Sequence, residues 1–560
     1  MISGALFFQV AAIIVLCAVP PVSRDALTHH LALPKIYLEK GLSTELPHIP
    51  FSYFPMNVDL LYMATMSFSG DVAIKYIHFA FGLLTALLVY FLLRRWINGQ
   101  FGMLGALLFL SLPVIVKLSI SAYVDLGLAF FSTAALLAIL KWMANNRGIQ
   151  YLLAAAVFCG LALGTKYNAL LVLCIMTLSI PLVVLQRDRM QQSAAVVTEA
   201  SPPITVVQSI GPAVLFCLVA MMMYAPWAIR NIVWTGNPIY PLYQSVFEKV
   251  DLAEDEVIKS ENDRIRELYN SQINRDHLLV RRTVYKESPL QIALIPLRIF
   301  LQGQDDNPRY FDGKLHPLLL FFPFFIFLNL KHEVPAVRFG KLYLLGFSWL
   351  YILMAALSTD IRIRYIMPAI PPLVILSVCG FYSLLVEIKD RLGHKHTITV
   401  GTLAFLLIIM IPNMSYVRGL FQRYAPLDYL AGRIDRDSYI GSFRPEYPVL
   451  QYINRSLPPD SRILSIFGGN RRYYCDRELF FNNEWFKSLM IEQSSEDGIS
   501  EAMQEKGITH IMVNEPFYQR WMYDGLTTEQ RHRADALFGD QMKLIYTENE
   551  HQLYQFNSSR

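Results

Sequence analysis

Long apolar segments recur along the chain, and they constrain its fold more than any other feature. They have about the length that crosses a bilayer core as a helix, roughly 17 to 25 residues. They lie near residues 4–21, 72–93, 101–118, 122–142, 151–165, 168–186, 207–228, 315–330, 342–357, 365–387 and 397–413. Only 17% of the residues are charged, against about 25% in a soluble domain. The sequence therefore predicts a mainly α, polytopic membrane protein with about 11 transmembrane helices, and it argues against a soluble enzyme.

Lysine and arginine in the short loops predict the orientation of these spans, because cytoplasmic loops carry the excess of positive charge. Alternate loops contain Arg94 and Arg95, Lys141 and Arg147, Arg187 and Arg189, Lys331, Arg338 and Lys341, and Lys389, Arg391 and Lys395. This pattern predicts a cytoplasmic N-terminus. An odd number of spans then places residues 22–71, 229–314 and 414–560 together on the opposite face.

These loops suggest a division into two domains. Residues 1–413 form the predicted transmembrane domain, with outer loops 22–71 and 229–314, and residues 414–560 form an extracytoplasmic domain. Within the latter, residues 449–453 resemble a helix, and residues 462–467 and 509–513 resemble strands. The pattern predicts a small α/β domain with a parallel sheet. The segment Gly468-Gly469-Asn470-Arg471-Arg472 is interpreted as a turn with exposed arginines, with contact to an anionic acceptor as the alternative.

A second group of cations lies at the outer ends of the predicted spans, where topology does not require positive charge. It comprises Arg24, Lys35, Lys75, Lys117, Lys166, Arg230, Arg362 and Arg364. Charges at the membrane edge commonly mark a substrate path, although snorkelling to lipid headgroups is the alternative for each residue. If these helix ends converge, they form an anion pocket suited to a lipid phosphate or pyrophosphate. The net charge of +4 is too small to indicate nucleic acid as a partner.

Two carboxylates accompany these cations. Asp25 lies in the first outer loop, a few residues after the membrane, and Asp125 opens the fourth span. A helix-capping role is the alternative interpretation, chiefly for Asp125. A sugar on a lipid phosphate already has a good leaving group, so its transfer needs cations for the phosphate and a base for the acceptor hydroxyl. We expect Asp25 to be that base in an inverting displacement, and Asp125 to orient the substrate.

Several motifs, taken in their order along the chain, resemble those of a known superfamily. They are the Asp25 loop, Ala122-Tyr123-Val124-Asp125-Leu126, Gly160-Leu161-Ala162-Leu163-Gly164-Thr165-Lys166-Tyr167, Pro226-Trp227-Ala228-Ile229-Arg230-Asn231, and Arg364-Tyr365-Ile366-Met367-Pro368. Over roughly residues 1–415 the chain resembles the GT-C superfamily of polyprenyl-phosphate-dependent glycosyltransferases. More particularly it resembles the family 39-type bacterial branch, which includes the aminoarabinose lipid A transferase and the rhizobial core galacturonosyltransferases.

The resemblance implies an acidic residue near the reacting carbon, which falls on Asp25, and basic residues that hold the lipid phosphate. The phosphate-binding set is Arg24, Lys166, Tyr167, Arg230, Arg362 and Arg364, and His29, His30, Lys35 and Lys75 are further candidate substrate contacts. Protein mannosyltransferases carry an Asp-Glu pair in the first loop, where this chain has Asp25-Ala26. The Trp-Trp-Asp-Tyr-Gly signature of oligosaccharyltransferases is also absent from the sequence. Protein mannosylation and transfer to asparagine are therefore disfavoured.

The sequence gives no firm cofactor. His29 and His30, with Glu45 and His48 nearby, form a weak candidate for a divalent metal, but adjacent histidines point apart. Asp305-Asp306-Asn307 is interpreted as a solvated turn. Residues 290–297 suggest a helix lying on the outer membrane interface.

Together these features predict a bacterial inner-membrane enzyme with a periplasmic C-terminal domain, which acts among membrane lipids. It would move a sugar from a polyprenyl-phosphate-linked donor to a glycolipid, glycan or protein acceptor. A transporter or flippase for a lipid-linked anion is the alternative; such proteins place charge nearer the midplane of the bilayer.

Overall fold

A computed structural model of the chain describes residues 1–41, 44–144, 148–194, 205–247, 277–358, 360–394, 396–493 and 495–557. Arg147 and Lys395, which contribute to the predicted orientation, lie outside the described residues.

Apolar helices form the membrane part of the molecule, and every predicted span overlaps one helix or, at 101–118, a pair of helices. Among the described residues, seven are long and apolar enough to cross a bilayer: Asp71–Trp96, Asp125–Ala144, Ala169–Met190, Ile210–Thr235, Pro335–Ser358, Ile363–Leu392 and Thr397–Tyr424. Three shorter apolar helices are Ile2–Cys17, Ile149–Leu163 and Leu318–Leu328. Together with the C-terminal sheet described below, they confirm a mainly α, polytopic membrane protein with a small α/β domain.

The predicted span at 101–118 is broken rather than straight. Its two halves, Gly99–Ser111 and Pro113–Ser119, are bent by 69°. Leu112 has an extended backbone at the break, with φ −63° and ψ 129°, because a residue that precedes proline is disfavoured in the helical conformation. The predicted span at 315–330 also differs from a regular helix, since residues Phe322–Leu328 form a 3₁₀ helix with Pro323 in its first turn.

Short helices connect the long ones at one end of the molecule. They are Ala26–His30 (a π-helical turn), Ala32–Lys40, Pro50–Tyr53 (3₁₀), Asn57–Met66, Gln244–Phe247, His277–Thr283, Pro289–Ala293, Ile295–Leu301 and Pro308–Tyr310 (3₁₀). Leu290, Leu294, Leu297 and Leu301 recur at near-helical spacing and are exposed, by 39% to 67%. This apolar face suits the predicted position on the membrane interface.

A five-stranded sheet organises the C-terminal region. Its strands are β1 (Arg462–Ile466), β2 (Glu478–Phe480), β3 (His510–Asn514), β4 (Met542–Glu548) and β5 (His551–Phe556), in the order β2-β1-β3-β5-β4. Helices cover the sheet: Tyr447–Ser456, Asn483–Glu492, Glu496–Glu505, Glu515–Gly525 and Thr528–Ala536. Two preceding helices, Pro426–Leu430 and Arg436–Phe443, pack instead against Val19 and Val22.

The two predicted strands do pair in parallel, but the sheet as a whole is mixed. β1 pairs with β2 and β3 in parallel, but β3 and β4 both pair antiparallel with β5. β4 and β5 form a hairpin whose two turn residues, Asn549 and Glu550, have φ of 47° and 67°. The turn lacks the Asn-Gly or Asp-Gly pair that marks such hairpins in a sequence.

The large polar segments meet at one end of the helical bundle. The backbone N–H of Tyr473 donates to the carbonyl of Leu27, and the Tyr416 hydroxyl donates to Asp305. The backbone N–H of Ile363 donates to the carbonyl of Phe311. We call this end, formed by residues 22–71, 277–314 and 426–557, the loop face. The domain boundary at residue 413 stays a prediction, and the last long helix continues to Tyr424.

Candidate functional site

Two carboxylate–cation pairs lie at the loop face. In the first, Oδ2 of Asp25 is 2.5 Å from Nη2 of Arg364. Asp25 immediately precedes the π-helical turn, and Arg364 lies in the 3₁₀ segment Ile363–Ala369. The two side chains are 23% and 9% exposed. The pair therefore ties the first polar loop to the start of the tenth predicted span.

The second pair joins Oδ1 of Asp125 to Nζ of Lys166, 2.7 Å apart. Asp125 is the first residue of its helix and is fully buried. Its other oxygen, Oδ2, has no hydrogen-bond partner among the described residues. The carboxylate therefore pairs with the lysine instead of capping the helix, and it keeps one buried oxygen unpartnered.

The ring of Tyr365 connects the two pairs. Nζ of Lys166 lies 5.1 Å from its centroid, and the guanidinium carbon of Arg364 lies 5.4 Å from it. The same guanidinium is 5.0 Å from the ring of Tyr123, two residues before Asp125. Four residues singled out in the sequence, Asp25, Asp125, Lys166 and Arg364, thus form one cluster.

His29 and His30 follow Asp25 in the π-helical turn. The His29 ring stacks on Phe51 at 4.2 Å, and its Nδ1 is buried without a partner among the described residues. His30 Nδ1 lies 2.9 Å from Oδ1 of Asp59, a buried residue of the helix Asn57–Met66. Asp59 was not predicted from the sequence, because an acidic residue in a first helical turn is an ordinary feature.

The charges of the cluster shift the pKa of its loop residues. Burial alone would raise the pKa of Asp25, but the charge and hydrogen bond of the Arg364 guanidinium, together with His29 and His30, hold that pKa well below its usual range. Burial lowers the pKa of His29 well below its usual value and that of His30 to about 3. At neutral pH the loop therefore presents an ionised carboxylate beside an uncharged His29 imidazole.

Arg230 and Tyr167 lie in a neighbouring aromatic network. The Arg230 guanidinium sits 4.8 Å from the ring of Trp227 and 5.0 Å from that of Trp234, and it donates to the carbonyl of Phe54. The Tyr167 hydroxyl donates to the carbonyl of Tyr240 at 3.0 Å. A row of ring contacts leads from His29 through Phe51 and Phe54 to Tyr167. These two predicted phosphate ligands are thus linked to the cluster through aromatic rings.

Arg362 and Lys117 belong to a different group of charges. Nζ of Lys117 lies 2.9 Å from Asp306 and 3.5 Å from Asp312, while Arg362 is 3.6 Å from Asp312. Asp306 also accepts from Arg423 at 2.8 Å. The Asp305-Asp306-Asn307 segment is a turn, with φ of 58° at Asp306. The Asp306 side chain is 51% exposed and pairs with Lys117 and Arg423.

The remaining predicted contacts lie around the first outer loop. Lys75 is buried and donates to the carbonyl of Val19 at 2.8 Å. Lys35 donates to the carbonyl of Tyr473 and to Asp476, so it faces the C-terminal domain. Arg24 is exposed. The structure therefore does not bring these three cations into the Asp25 cluster.

The weak metal candidate is not assembled. Glu45 accepts a hydrogen bond from the Tyr53 hydroxyl at 2.6 Å, and the His48 ring stacks on Phe480 at 5.1 Å. Within the ranges that the structure describes, no group of three or more His, Cys, Asp or Glu side chains is placed to hold a metal ion.

Comparisons with known proteins bear on the fold. Residues 60–201 match a family model described as dolichyl-phosphate-mannose-protein mannosyltransferase. No curated protein matches the sequence at a significant level.

Solved structures align over almost the entire chain. ArnT from Cupriavidus metallidurans bound to undecaprenyl phosphate is 13% identical, with a TM-score of 0.53, and the alignment covers 99% of this chain and 98% of ArnT. The oligosaccharyltransferase of Archaeoglobus fulgidus, tethered to an acceptor peptide, is 13% identical with a TM-score of 0.51, over 93% of this chain and 70% of that one.

At these identities the structural matches establish the fold, and the family model adds agreement over residues 60–201. The resemblance predicted from the sequence is confirmed at the level of the fold: the chain shares the GT-C fold of ArnT and of the archaeal oligosaccharyltransferase, and residues 60–201 match the mannosyltransferase family model.

Proposed function

We propose that this chain transfers one sugar from a polyprenyl-phosphate donor to an acceptor outside the cytoplasm, with inversion at the anomeric carbon. The observation that carries the proposal is the cluster of Asp25–Arg364 and Asp125–Lys166 at the loop face. It combines cations for a phosphate leaving group with a carboxylate for the acceptor hydroxyl. We place the enzyme in a bacterial inner membrane, with the loop face in the periplasm.

The donor phosphate is assigned to Arg364 and Lys166. Arg364 offers a planar set of donors that matches phosphate oxygens, and Lys166 adds a point charge from the far side of Tyr365. The C1–O bond to the phosphate breaks with its electron pair, so these cations stabilise the charge that develops on the leaving group. The solved ArnT complex with undecaprenyl phosphate supports this class of donor.

The base is assigned to Asp25. A carboxylate held by Arg364 is a poor proton acceptor, because its pKa lies well below the usual range. When the donor phosphate binds the Arg364 guanidinium, that positive charge no longer stabilises the Asp25 carboxylate, and the pKa of Asp25 rises. The acceptor hydroxyl then gives its proton to Asp25 while its oxygen attacks C1 from the face opposite the phosphate. Donor binding would thus activate the base.

Asp125 is assigned an orienting role. Its Oδ1 holds Lys166 in place, and its buried Oδ2, which has no partner among the described residues, is assigned to a hydroxyl of the donor sugar. A buried acceptor atom without a partner is costly, so a donor that supplies the missing hydrogen bond recovers that cost on binding.

The alternative, a flippase, is less well supported. All four residues of the cluster lie at or beside helix ends on the loop face, where the C-terminal domain also packs. A flippase would need charged groups along its path.

Mass spectrometry of envelope lipids and glycans from cells with and without the chain tests the proposal. We expect one glycolipid or glycan to lose a single-sugar mass increment in cells that lack the protein. Unchanged glycans combined with lipid-linked sugar accumulating on the cytoplasmic leaflet would contradict the proposal and favour the flippase.

A further inference from the structure

A polar cavity of about 420 Å³ lies between the helix Ala32–Lys40 and the C-terminal domain. Its lining includes Lys35, Arg436, Gln451, Arg455, Tyr473 and Asp476. Three of these side chains are cationic and one is anionic. The cavity is separate from the Asp25–Arg364 and Asp125–Lys166 cluster, none of whose residues lines it.

The Arg436 guanidinium is held in place by a buried carboxylate. Its Nη2 lies 2.6 Å from Oδ2 of Asp71, whose side chain is only 5% exposed. Arg436 makes no other hydrogen bond among the described residues, so its remaining N–H groups are available to a ligand. A buried carboxylate that fixes one side of a guanidinium leaves the other side oriented toward the cavity.

Lys35 fixes the opposite wall. Its ammonium group donates to the carbonyls of Tyr473 and Cys475 and to the carboxylate of Asp476. Because all three donors are used, Lys35 is a structural cation that holds Tyr473 in the wall. The rings of Tyr473 and Tyr474 pack with centroids 4.9 Å apart.

Gln451 and Arg455 supply further polar groups. The described residues give the Gln451 side chain no hydrogen-bond partner, and Arg455 forms an ion pair with Asp437 at 3.6 Å. The cavity thus offers two guanidinium groups, one carboxamide and aromatic surface. Guanidinium groups match the oxygens of a phosphate or a carboxylate, and the amide and ring surface suits a sugar.

The cavity is connected to the loop that carries Asp25. The backbone N–H of Tyr473 donates to the carbonyl of Leu27, and the Tyr474 hydroxyl donates to the carbonyl of Pro21 at 2.8 Å. A smaller cavity of about 190 Å³ continues on the other side and shares Lys35, Tyr473 and Asp476 in its lining. The two cavities flank one wall that is hydrogen-bonded to the loop carrying the assigned base.

We infer that this cavity binds the anionic part of the acceptor, a sugar that carries a phosphate or a carboxylate. The assignment as an acceptor site rests on the proposed function, whereas the binding itself does not. An anchor at this point would hold a charged glycan or glycolipid while a neighbouring hydroxyl reaches Asp25.

Equilibrium binding to the purified full-length chain in detergent tests the inference. The probes are glucose 6-phosphate, glucuronate and glucose, observed by saturation-transfer NMR and calorimetry. We expect the two anionic sugars to bind about tenfold more tightly than glucose, the effect of one charge-assisted hydrogen bond. A preference for one of the two anions identifies whether the acceptor carries phosphate or carboxylate.

Three variants locate the binding. Arg436→Ala combined with Arg455→Ala removes both guanidinium groups and should weaken anionic-sugar binding by at least about tenfold. Arg436→Ala also removes the ion-pair partner of the buried Asp71 carboxylate. A second variant, Gln451→Ala with Arg455→Ala, leaves the contact between Arg436 and Asp71 intact and should also weaken binding. Arg433→Ala removes an exposed arginine that pairs with Asp428 and should leave binding unchanged.

Undecaprenyl phosphate binding, measured on the same samples, separates the two proposals. The cavity variants should retain it. Equal binding of glucose and the anionic sugars, or anionic binding that survives in both cavity variants, would overturn the inference. Failure of the wild-type chain to bind undecaprenyl phosphate would count against the proposed function while leaving the cavity result in place.

Discussion

At the scale of single residues, the buried ion pair between Asp125 and Lys166 determines how much a substitution in the site destabilises the fold. Asp125 is 0% exposed and Lys166 provides the single hydrogen bond to its carboxylate among the described residues. Removing one member of a buried pair leaves an uncompensated charge, which costs more than removing both members.

We predict that Lys166→Met destabilises the protein by about 3 to 5 kcal/mol. The double variant Asp125→Asn with Lys166→Met should recover part of this loss, because no buried charge is left unpaired. Thermal and chemical unfolding in detergent measures both effects, and Lys40→Met, at an exposed position, is the control. Equal destabilisation in the single and double variants would contradict the coupling.

His29 makes stability depend on pH. Its pKa in the folded chain lies well below the usual value because of burial, so the unfolded chain takes up a proton first as the pH falls below about 6.5. The contribution of the neutral, buried His29 to the free energy of unfolding is therefore complete above that pH. It is lost toward lower pH, by up to about 1.4 kcal/mol per pH unit.

We therefore expect His29→Gln to reduce the loss of stability between pH 7 and pH 5. The measurement is the unfolding midpoint at both pH values, with His532→Gln, in an exposed position, as the control. An unchanged pH dependence in His29→Gln would show that this histidine is not held neutral in the fold.

At the scale of elements, close helix packing sets which glycines can change. A Cβ atom on Gly380 would lie 1.9 Å from the carbonyl oxygen of Phe322, so the helix Ile370–Leu392 could no longer approach the 3₁₀ segment Phe322–Leu328. Gly346, in the helix Pro335–Ser358, has no heavy atom within 4 Å of the corresponding point.

Gly380→Ala should therefore destabilise the protein by about 1 to 3 kcal/mol, as overpacking does. Gly346→Ala should be neutral or stabilising by up to about 1 kcal/mol, because alanine favours a helix. Unfolding of the two variants in parallel checks the prediction. A neutral Gly380→Ala would mean that these two segments do not pack as described.

The same scale shows what could be predicted from the sequence. Apolar runs locate the long helices, because the length needed to cross a bilayer is a local property. The break before Pro113 and the 3₁₀ segment at Phe322–Leu328 were not predicted. In both, a proline near the break changes the backbone within a run that stays apolar.

At the scale of the whole molecule, the sequence identifies the cluster but not its pairing. Asp25, Asp125, Lys166 and Arg364 could be selected as charges at helix ends, yet which carboxylate meets which cation depends on how distant elements pack. For the same reason, the sequence does not predict that Arg230 lies against the rings of Trp227 and Trp234. The hydrogen bond between Tyr473 and Leu27 joins residues far apart in sequence, and local patterns carry no information about it.

The central claim is that Asp25 is the base for sugar transfer. Its most direct test is single-site replacement in cells whose missing glycan increment has been identified. Cells that lack the chain are complemented with the wild type, with Asp25→Asn, or with Asp428→Asn, which alters an exposed aspartate paired with Arg433. Undecaprenyl phosphate binding is measured on each purified protein.

We predict that the wild type and Asp428→Asn restore the increment, while Asp25→Asn lowers transfer by about 100-fold or more, as loss of a general base does. Asp25→Asn should still bind undecaprenyl phosphate at least as tightly as the wild type, because Arg364 no longer has a competing carboxylate. Transfer by Asp25→Asn at a rate close to that of the wild type would contradict the account.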